Sequence, residues 1–219
     1  EMSIFVANIK RGKPKKINVG DTDDVYLPWM EWFNSESLVL MKMNRLQNNW
    51  TFLKIFPSGK KYSEGISESD PNGWVQLHRN YHFLENSNLL WMSERDGWHH
   101  IYLHTFEGEV LHQVTSGTWE VKKIVGFDED REKVYFMANK ESVFENRLYS
   151  VNFDGSNLKL LTTESGTHSV KVFPNFSGFI DSYSNLNTPS RHLLKDINGN
   201  LIKTISETDK SQFEEYDWS

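Results

Sequence analysis

One short turn recurs along this chain, and its spacing narrows the fold more than any other feature. "WTFLKIFPSGK" (50–60), "HHIYLHTFEGE" (99–109), "ENRLYSVNFDG" (145–155) and "SRHLLKDINGN" (190–200) each read as an alternating strand closed by a turn, at Gly59, Gly108, Gly155 and Gly199. Successive glycines lie 49, 47 and 44 residues apart. Asp154-Gly155 and Asn198-Gly199 are dipeptides favoured by two-residue hairpins, whose central residues both take positive φ. A short apolar run precedes each turn by one strand and its loop: "SLVLMKM" (37–43), "NLLWMSE" (88–94), "KVYFMAN" (133–139) and "SGFIDSY" (177–183). Opening strands are read in "YLPWMEWF", "VQLHRNYHF", "WEVKKIVGF" and "THSVKVFP". Fourth strands are read in "KKYSEG", "EVLHQVT", "NLKLLTT" and "NLIKTIS".

Four antiparallel strands repeated about every 45 residues are the pattern of β-propeller blades. A β-sandwich would not repeat at one period with one turn chemistry. The expected fold is therefore an all-β propeller of four-stranded antiparallel blades, here a partial arc of about four and a half. Residues 1–206 form that arc: 1–19 is the outer half of a blade, turning near Arg11-Gly12-Lys13, and 25–66, 74–116, 119–163 and 167–206 are whole blades. Residues 207–219 read as a polar linker. The N-terminus begins inside a strand pattern and lacks the basic lead and apolar core of a signal peptide, which predicts a piece of something longer.

Aromatic residues make up 14% of the chain, a load that suits half-buried pleated surfaces. The net charge is −6 with dispersed basic residues, which disfavours nucleic acid as a partner. There is no cysteine, so disulfides and thiolate metal sites are excluded. No apolar run approaches the length of a membrane span.

His99, His100, His104 and His112 crowd one stretch. Strand alternation turns His99 and His100 to opposite faces and separates His100 from His104 by a full pleat repeat. They read as strand histidines, and neither a metal nor a cofactor is expected. "GTHSV" (166–170) lacks the second glycine of the G-x-S-x-G nucleophile elbow and reads as structural. "DTDD" (21–24) and "DEDRE" (128–132) lack calcium-hand spacing and read as exposed loops. "NWT" (49–51) and "NFS" (175–177) are sequons on strand or turn positions. A glycosidase carboxylate pair would be spatial and cannot be read from order alone. No catalytic residue is assigned.

"SERDGWHHIYLHTFEGEVLHQVTSGTWEV" (93–121), "NRLYSVNFDG" (146–155), "GTHSVKVFPNFSGFID" (166–181) and "WMEWFNSESLVLMKMNRLQNNWTFL" (29–53) together resemble the N-terminal β-propeller of the dipeptidyl peptidase IV family of serine exopeptidases. His100 resembles that family's strand histidine, while His99 stands where Arg is common. The resemblance implies an eight-bladed propeller joined to a C-terminal α/β-hydrolase domain, which removes dipeptides after penultimate Pro or Ala. It implies peptide substrates, a periplasmic or other extracytoplasmic location, and a triad and a substrate-holding Glu pair outside this chain. Glu214-Glu215 in "QFEEYDW" is not that pair and reads as solvated. In "GWVQLHRNYHF" (73–83), His78 and Arg79 take the positions that border the extended substrate subsite. The match departs at Gln76, Leu77 and His78 and holds at Arg79. This fragment alone should be inactive. A stand-alone propeller binding protein or glycan, and a propeller glycosidase, are the alternatives. An uncovered terminal blade and an unpaired N-terminal edge predict a homo-oligomer.

Overall fold

The computed structural model describes residues 3–10, 12–56, 62–77, 79–209 and 211. The expected turn at Gly59, the candidate His78, and Glu214-Glu215 lie outside the described residues, as does most of the 207–219 segment. The chain is all-β. β1 (Ile4–Ala7) and β2 (Pro14–Ile17) form an antiparallel hairpin. β3 (Val25–Tyr26), β4 (Met30–Trp32), β5 (Leu38–Asn44), β6 (Asn49–Ile55) and β7 (Tyr62–Ser69) form the next sheet, in the order β3-β5-β6-β7 with β4 also on β5. β8 (Tyr81–Phe83), β9 (Leu89–Ser93), β10 (His100–His104) and β11 (Val110–Gln113) follow. β12 (Val121–Asp128), β13 (Lys133–Ala138), β14 (Arg147–Asn152) and β15 (Lys159–Leu160) make another sheet. The last holds β16 (Thr167–Val172), β17 (Gly178–Asn185), β18 (Thr188–Asp196) and β19 (Leu201–Glu207). These three sheets are meanders of four consecutive strands.

Two opening strands differ from expectation. The stretch 25–32 is one strand broken into β3 and β4, with Pro28 in the gap. Pro28 has no N–H to give β5, and the ladder resumes one residue out of register after Trp29 O accepts the Met41 N–H at 3.1 Å. Among the described residues of "VQLHRNYHF" only Tyr81–Phe83 is strand, so 75–77, 79 and 80 are not.

The turns are also of another type. At Gly108, Gly155 and Gly199 the loop is three residues long rather than two. The Asn152 N–H donates to Ser156 O and the Gly155 N–H to Asn152 O, both at 2.9 Å. The same pair of bonds links Thr105 with Glu109 and Gly108, and Asp196 with Asn200 and Gly199. Only the glycine takes positive φ, at 100°, 84° and 92° respectively. This is a type I turn followed by a left-handed residue, whose twist still matches the flanking strands. Asp154 and Asp196 favour it by accepting backbone N–H groups two residues on, at 2.8 and 2.9 Å.

β5, β9, β10, β13 and β14 are buried along nearly their whole length, whereas β17 and β18 alternate buried and half-buried positions. The chain divides into two compact units. The first comprises Glu1–Arg79, Phe83–Leu89 and His104–Leu111. In it Ile17 and Val19 pack on Leu38, Leu40, Leu53 and Ile55. A cluster of rings, Phe33, Phe52, Phe83 and Phe106, joins at centroid distances of 4.9 to 6.5 Å. The second unit comprises Asn80–His82, Leu90–Leu103 and His112–Ser219. Its core sets Tyr135, Met137, Leu148 and Leu161 against Phe179, Val170 and Val172.

Candidate functional site

Arg79 ends the loop that follows β7, and its side chain is exposed. The loop is pinned rather than loose. The Asp70 N–H donates to Asn48 O at 2.9 Å and the Val75 N–H to Gln47 O at 3.0 Å, with Val75 itself buried. Asp70 Oδ1 accepts the Asn72 N–H at 2.8 Å, an Asx turn. The β5–β6 turn that receives these bonds is itself braced. Asn44 Oδ1 accepts the N–H groups of Asn48 and Asn49 at 3.1 Å, and Gln47 takes the left-handed φ of 58°. Loop and turn hold three apolar side chains out in solvent: Trp74 is 83% exposed, Leu46 72% and Leu77 42%. Arg79 follows two residues after Leu77, so one short segment presents an indole, an aliphatic side chain and a guanidinium. Arg45, beside Leu46, lies over the Tyr26 ring at 5.0 Å. Trp74 stands just before the stretch that reads as an opening strand, and sequence reasoning assigns it no role. Its flanking Asn72-Gly73 was the loop signal.

The histidine-rich stretch is structural in detail. His100 is fully buried on β10. Its Nε2 donates to Gly117 O at 3.0 Å, and its Nδ1 meets Thr115 Oγ1 at 3.1 Å. Thr115 Oγ1 also accepts the Ile101 N–H at 2.9 Å, so one hydroxyl joins the ring to the backbone of its own strand. The imidazole meets Trp119 edge-on at 4.9 Å, and Trp119 lies nearly parallel to Phe136 and Tyr149. His100 thus ties the T-S-G turn to the tryptophan of W-E-V. His104 is buried, with Nδ1 3.4 Å from Gly108 O. Burial holds the His99 imidazole below its ordinary pKa although Glu94 and Glu120 pull it upward. Among the described residues no three His, Cys, Asp or Glu side chains are grouped to hold a metal ion. No helix among them is long and apolar enough to cross a membrane.

"GTHSV" supplies one arm of a buried charged network that sequence reasoning missed. His168 Nδ1 lies 2.8 Å from Asp181 Oδ1, and both side chains are fully buried. His168 Nε2 lies 2.8 Å from Glu164 O. Both ring nitrogens are thus engaged, one by a carboxyl group and one by a backbone carbonyl. Lys195, 1% exposed, reaches Glu164 Oε2 at 2.6 Å and Asp181 Oδ2 at 3.2 Å. Lys195 thus bridges Glu164 and Asp181, with His168 on the other oxygen of Asp181. Burial pushes the Glu164 carboxyl up, but the Lys195 hydrogen bond and the charges of Lys195 and His168 outweigh it and hold the group below its ordinary value. With both ring nitrogens committed, His168 cannot serve a neighbouring hydroxyl as a base. The signal was legible: Asp181 alternates with Phe179 and Tyr183, and Lys195 with Leu193, all inward positions.

Residues 1–190 match the family described as the dipeptidyl peptidase IV N-terminal region. The chain is 27% identical over 198 residues to dipeptidyl peptidase 4 of Arthroderma otae, covering 85% of the chain and 25% of that protein. It is 25% identical over 197 residues to dipeptidyl peptidase 4 of Trichophyton rubrum, again covering 85% and 25%. It therefore spans about a quarter of the length of these curated relatives. The crystal structure of Porphyromonas gingivalis dipeptidyl peptidase 4 superposes with a TM-score of 0.85 at 23% identity, over 94% of this chain and 29% of the other. That likeness shows the fold: a propeller segment of four-stranded antiparallel blades.

Proposed function

The chain belongs to the dipeptidyl peptidase IV N-terminal region family, and from that premise we propose that it is the propeller part of a serine-type dipeptidyl peptidase, a larger hydrolase acting on peptides. In this reading the propeller gates and helps to bind substrates cleaved after a penultimate Pro or Ala. A C-terminal α/β-hydrolase domain supplies the nucleophile. The whole blades are 25–66, 74–116, 119–163 and 167–206, with 1–19 the outer half of another and 207–219 the connection towards the hydrolase. The enzyme works in the periplasm or another extracytoplasmic space.

Arg79 and His78 border the substrate. A guanidinium offers five donors in a fixed plane and suits the carbonyl oxygens of an extended peptide. The observation that carries the reading is the family match along 190 residues, joined to an exposed Arg79 on a pinned loop. The test compares the full-length protein with this 219-residue chain on a Gly-Pro chromogenic amide. The full-length protein is expected to release the dye, and a serine-directed phosphonate to stop it. The chain alone is expected to release none. Turnover by the chain alone, or none by the full-length protein, would overturn the reading.

A further inference from the structure

The cations of this chain are spread along it with one exception, the β1–β2 hairpin. "IKRGKPKKIN" (9–18) holds Lys10, Arg11, Lys13, Lys15 and Lys16. No Asp or Glu occurs between Glu1 and Asp21, although the whole chain carries a net charge of −6. The hairpin gives this cluster a fixed shape. The Gly12 N–H donates to Asn8 O at 2.8 Å, Asn8 Oδ1 accepts the Lys10 N–H at 2.9 Å, and Gly12 takes the left-handed φ of 65°. Lys10, Lys13, Lys15 and Lys16 are all exposed. A Cβ added to Gly12 would meet nothing within 4 Å, so the turn is not crowded by its own unit.

The same hairpin turns apolar side chains to solvent among these cations. Register separates its two faces. Ile4 and Val6 pack with Ile17 on Leu38 and Leu53, while Phe5 stands opposite Lys16 and Ala7 opposite Pro14 on the outer face. Phe5 is 56% exposed, and Ile9, next to Lys10 in the turn, is exposed completely. A dissolved polyanion would engage the cations and leave Ile9 in water. A bilayer with anionic headgroups offers phosphates first and hydrocarbon beneath them, which suits cations flanking an apolar tip. Lysine stems are long enough to keep their ammonium groups at headgroup level while a neighbour enters deeper. The net negative charge of the chain does not oppose this contact. Charges more than about 8–10 Å away are largely screened at physiological salt, so a surface touching the turn meets the local cluster.

We propose that the β1–β2 hairpin is a peripheral contact for membranes containing anionic phospholipid. Lys10, Lys13 and their neighbours in the cluster meet the lipid phosphates, and Ile9 enters the boundary between headgroups and acyl chains. The contact holds the protein at a membrane surface without spanning it. It goes beyond the peptidase reading and does not rest on it, because the assay below reads no peptidase activity.

The experiment sediments the full-length protein with vesicles of phosphatidylglycerol and phosphatidylcholine. Vesicles of phosphatidylcholine alone and dissolved heparin are the references. The wild type is expected to bind the mixed vesicles, to release them as salt is raised, and to ignore phosphatidylcholine alone. Lys10→Gln combined with Lys13→Gln should weaken vesicle binding about 25-fold, at about fivefold for each cation. Ile9→Ser should weaken it about tenfold, leave heparin binding unchanged, and be rescued by Ile9→Leu. All these side chains are exposed, so each variant should keep the wild-type melting temperature, which shows that it is folded. No binding of the wild type to mixed vesicles overturns the proposal, as does full binding by the double lysine variant. Vesicle binding that Ile9→Ser leaves unchanged also overturns it, because the hairpin then takes dissolved polyanions by charge alone.

Discussion

A Cβ added to Gly199 would stand 2.4 Å from Leu161 O, and one added to Gly155 would stand 3.2 Å from Gln113 O. One added to Gly97 would meet nothing within 4 Å, although Gly97 shares the φ of 92° found at Gly199. The three positions separate two costs, left-handed backbone and close approach. Ala at Gly97 carries only the first, about 1 kcal/mol. At Gly155 the neighbours must also give by a few tenths of an ångström. At Gly199 a carbonyl oxygen must move outright, so the loss should reach about 3 kcal/mol. The expected order of destabilisation, Gly97→Ala below Gly155→Ala below Gly199→Ala, is read from urea midpoints. Equal midpoints would mean that the turns do not pack on the strand ends before them. Gly108, whose added Cβ would lie 3.4 Å from the Ile66 Cα, repeats the placement in the first unit. The recurring glycine in the sequence thus has a second cause besides turn geometry. Spacing alone did not reveal that cause, because the close approach is to residues some forty positions earlier.

Among the elements, the sheet β16–β19 carries its charges inside. His168 on β16, Asp181 on β17 and Lys195 on β18 share one face with Val170, Phe179 and Leu193. Breaking such a set by removing one partner leaves an uncompensated buried charge. Lys195→Met should therefore cost about 3–5 kcal/mol, more than most core truncations of similar volume. The set also predicts acid sensitivity. Glu164 is held below its ordinary pKa in the folded chain, so its contribution is present above the unfolded carboxylate value and is lost as pH falls through the folded one. Urea midpoints should drop between about pH 5 and pH 3, and Glu164→Gln should flatten part of that drop. A parallel profile in the variant would remove Glu164 from the account. Strand order and chain direction were legible in the sequence at this scale because buried runs and turn signals alternate regularly. The broken opening strand was less so: Pro28 was visible, but the one-residue slip it causes depends on how Trp29 meets Met41. The stretch before β8 reads as strand because Val75, Leu77 and Arg79 imitate alternation, but the Val75 N–H goes to Gln47 O on the β5–β6 turn.

Across the molecule, the propeller fold was readable because each blade repeats the same local pattern. The candidate site was readable only at Arg79, and there through resemblance. What a loop does depends on which distant side chains share its end of the sheet, and linear order does not record this. Self-association follows from the same view of exposed surface. β19 ends its sheet, with β18 on one side, and is seven residues long. It presents Leu201 at 58%, Ile202 at 59% and Ile205 at 50% exposure. An edge strand of that length normally avoids pairing through charges, bulges or proline. Lys203 supplies one charge in the middle of β19, two register slips interrupt its pairing with β18, and Glu207 at its end is engaged by Arg191 at 3.0 Å. Those two slips take Ile202 and Ile205 out of strict alternation, yet all three apolar side chains stay exposed, so strand addition by a second copy would bury part of them and satisfy the open backbone groups together. Sedimentation of the 219-residue chain should show an average mass that rises with concentration. Replacing Ile202 and Ile205 by Lys should hold it at the monomer value. A compact monomer at every concentration would show that β19 is protected by its own twist and polar neighbours, and that its exposed leucine and isoleucines are ordinary surface.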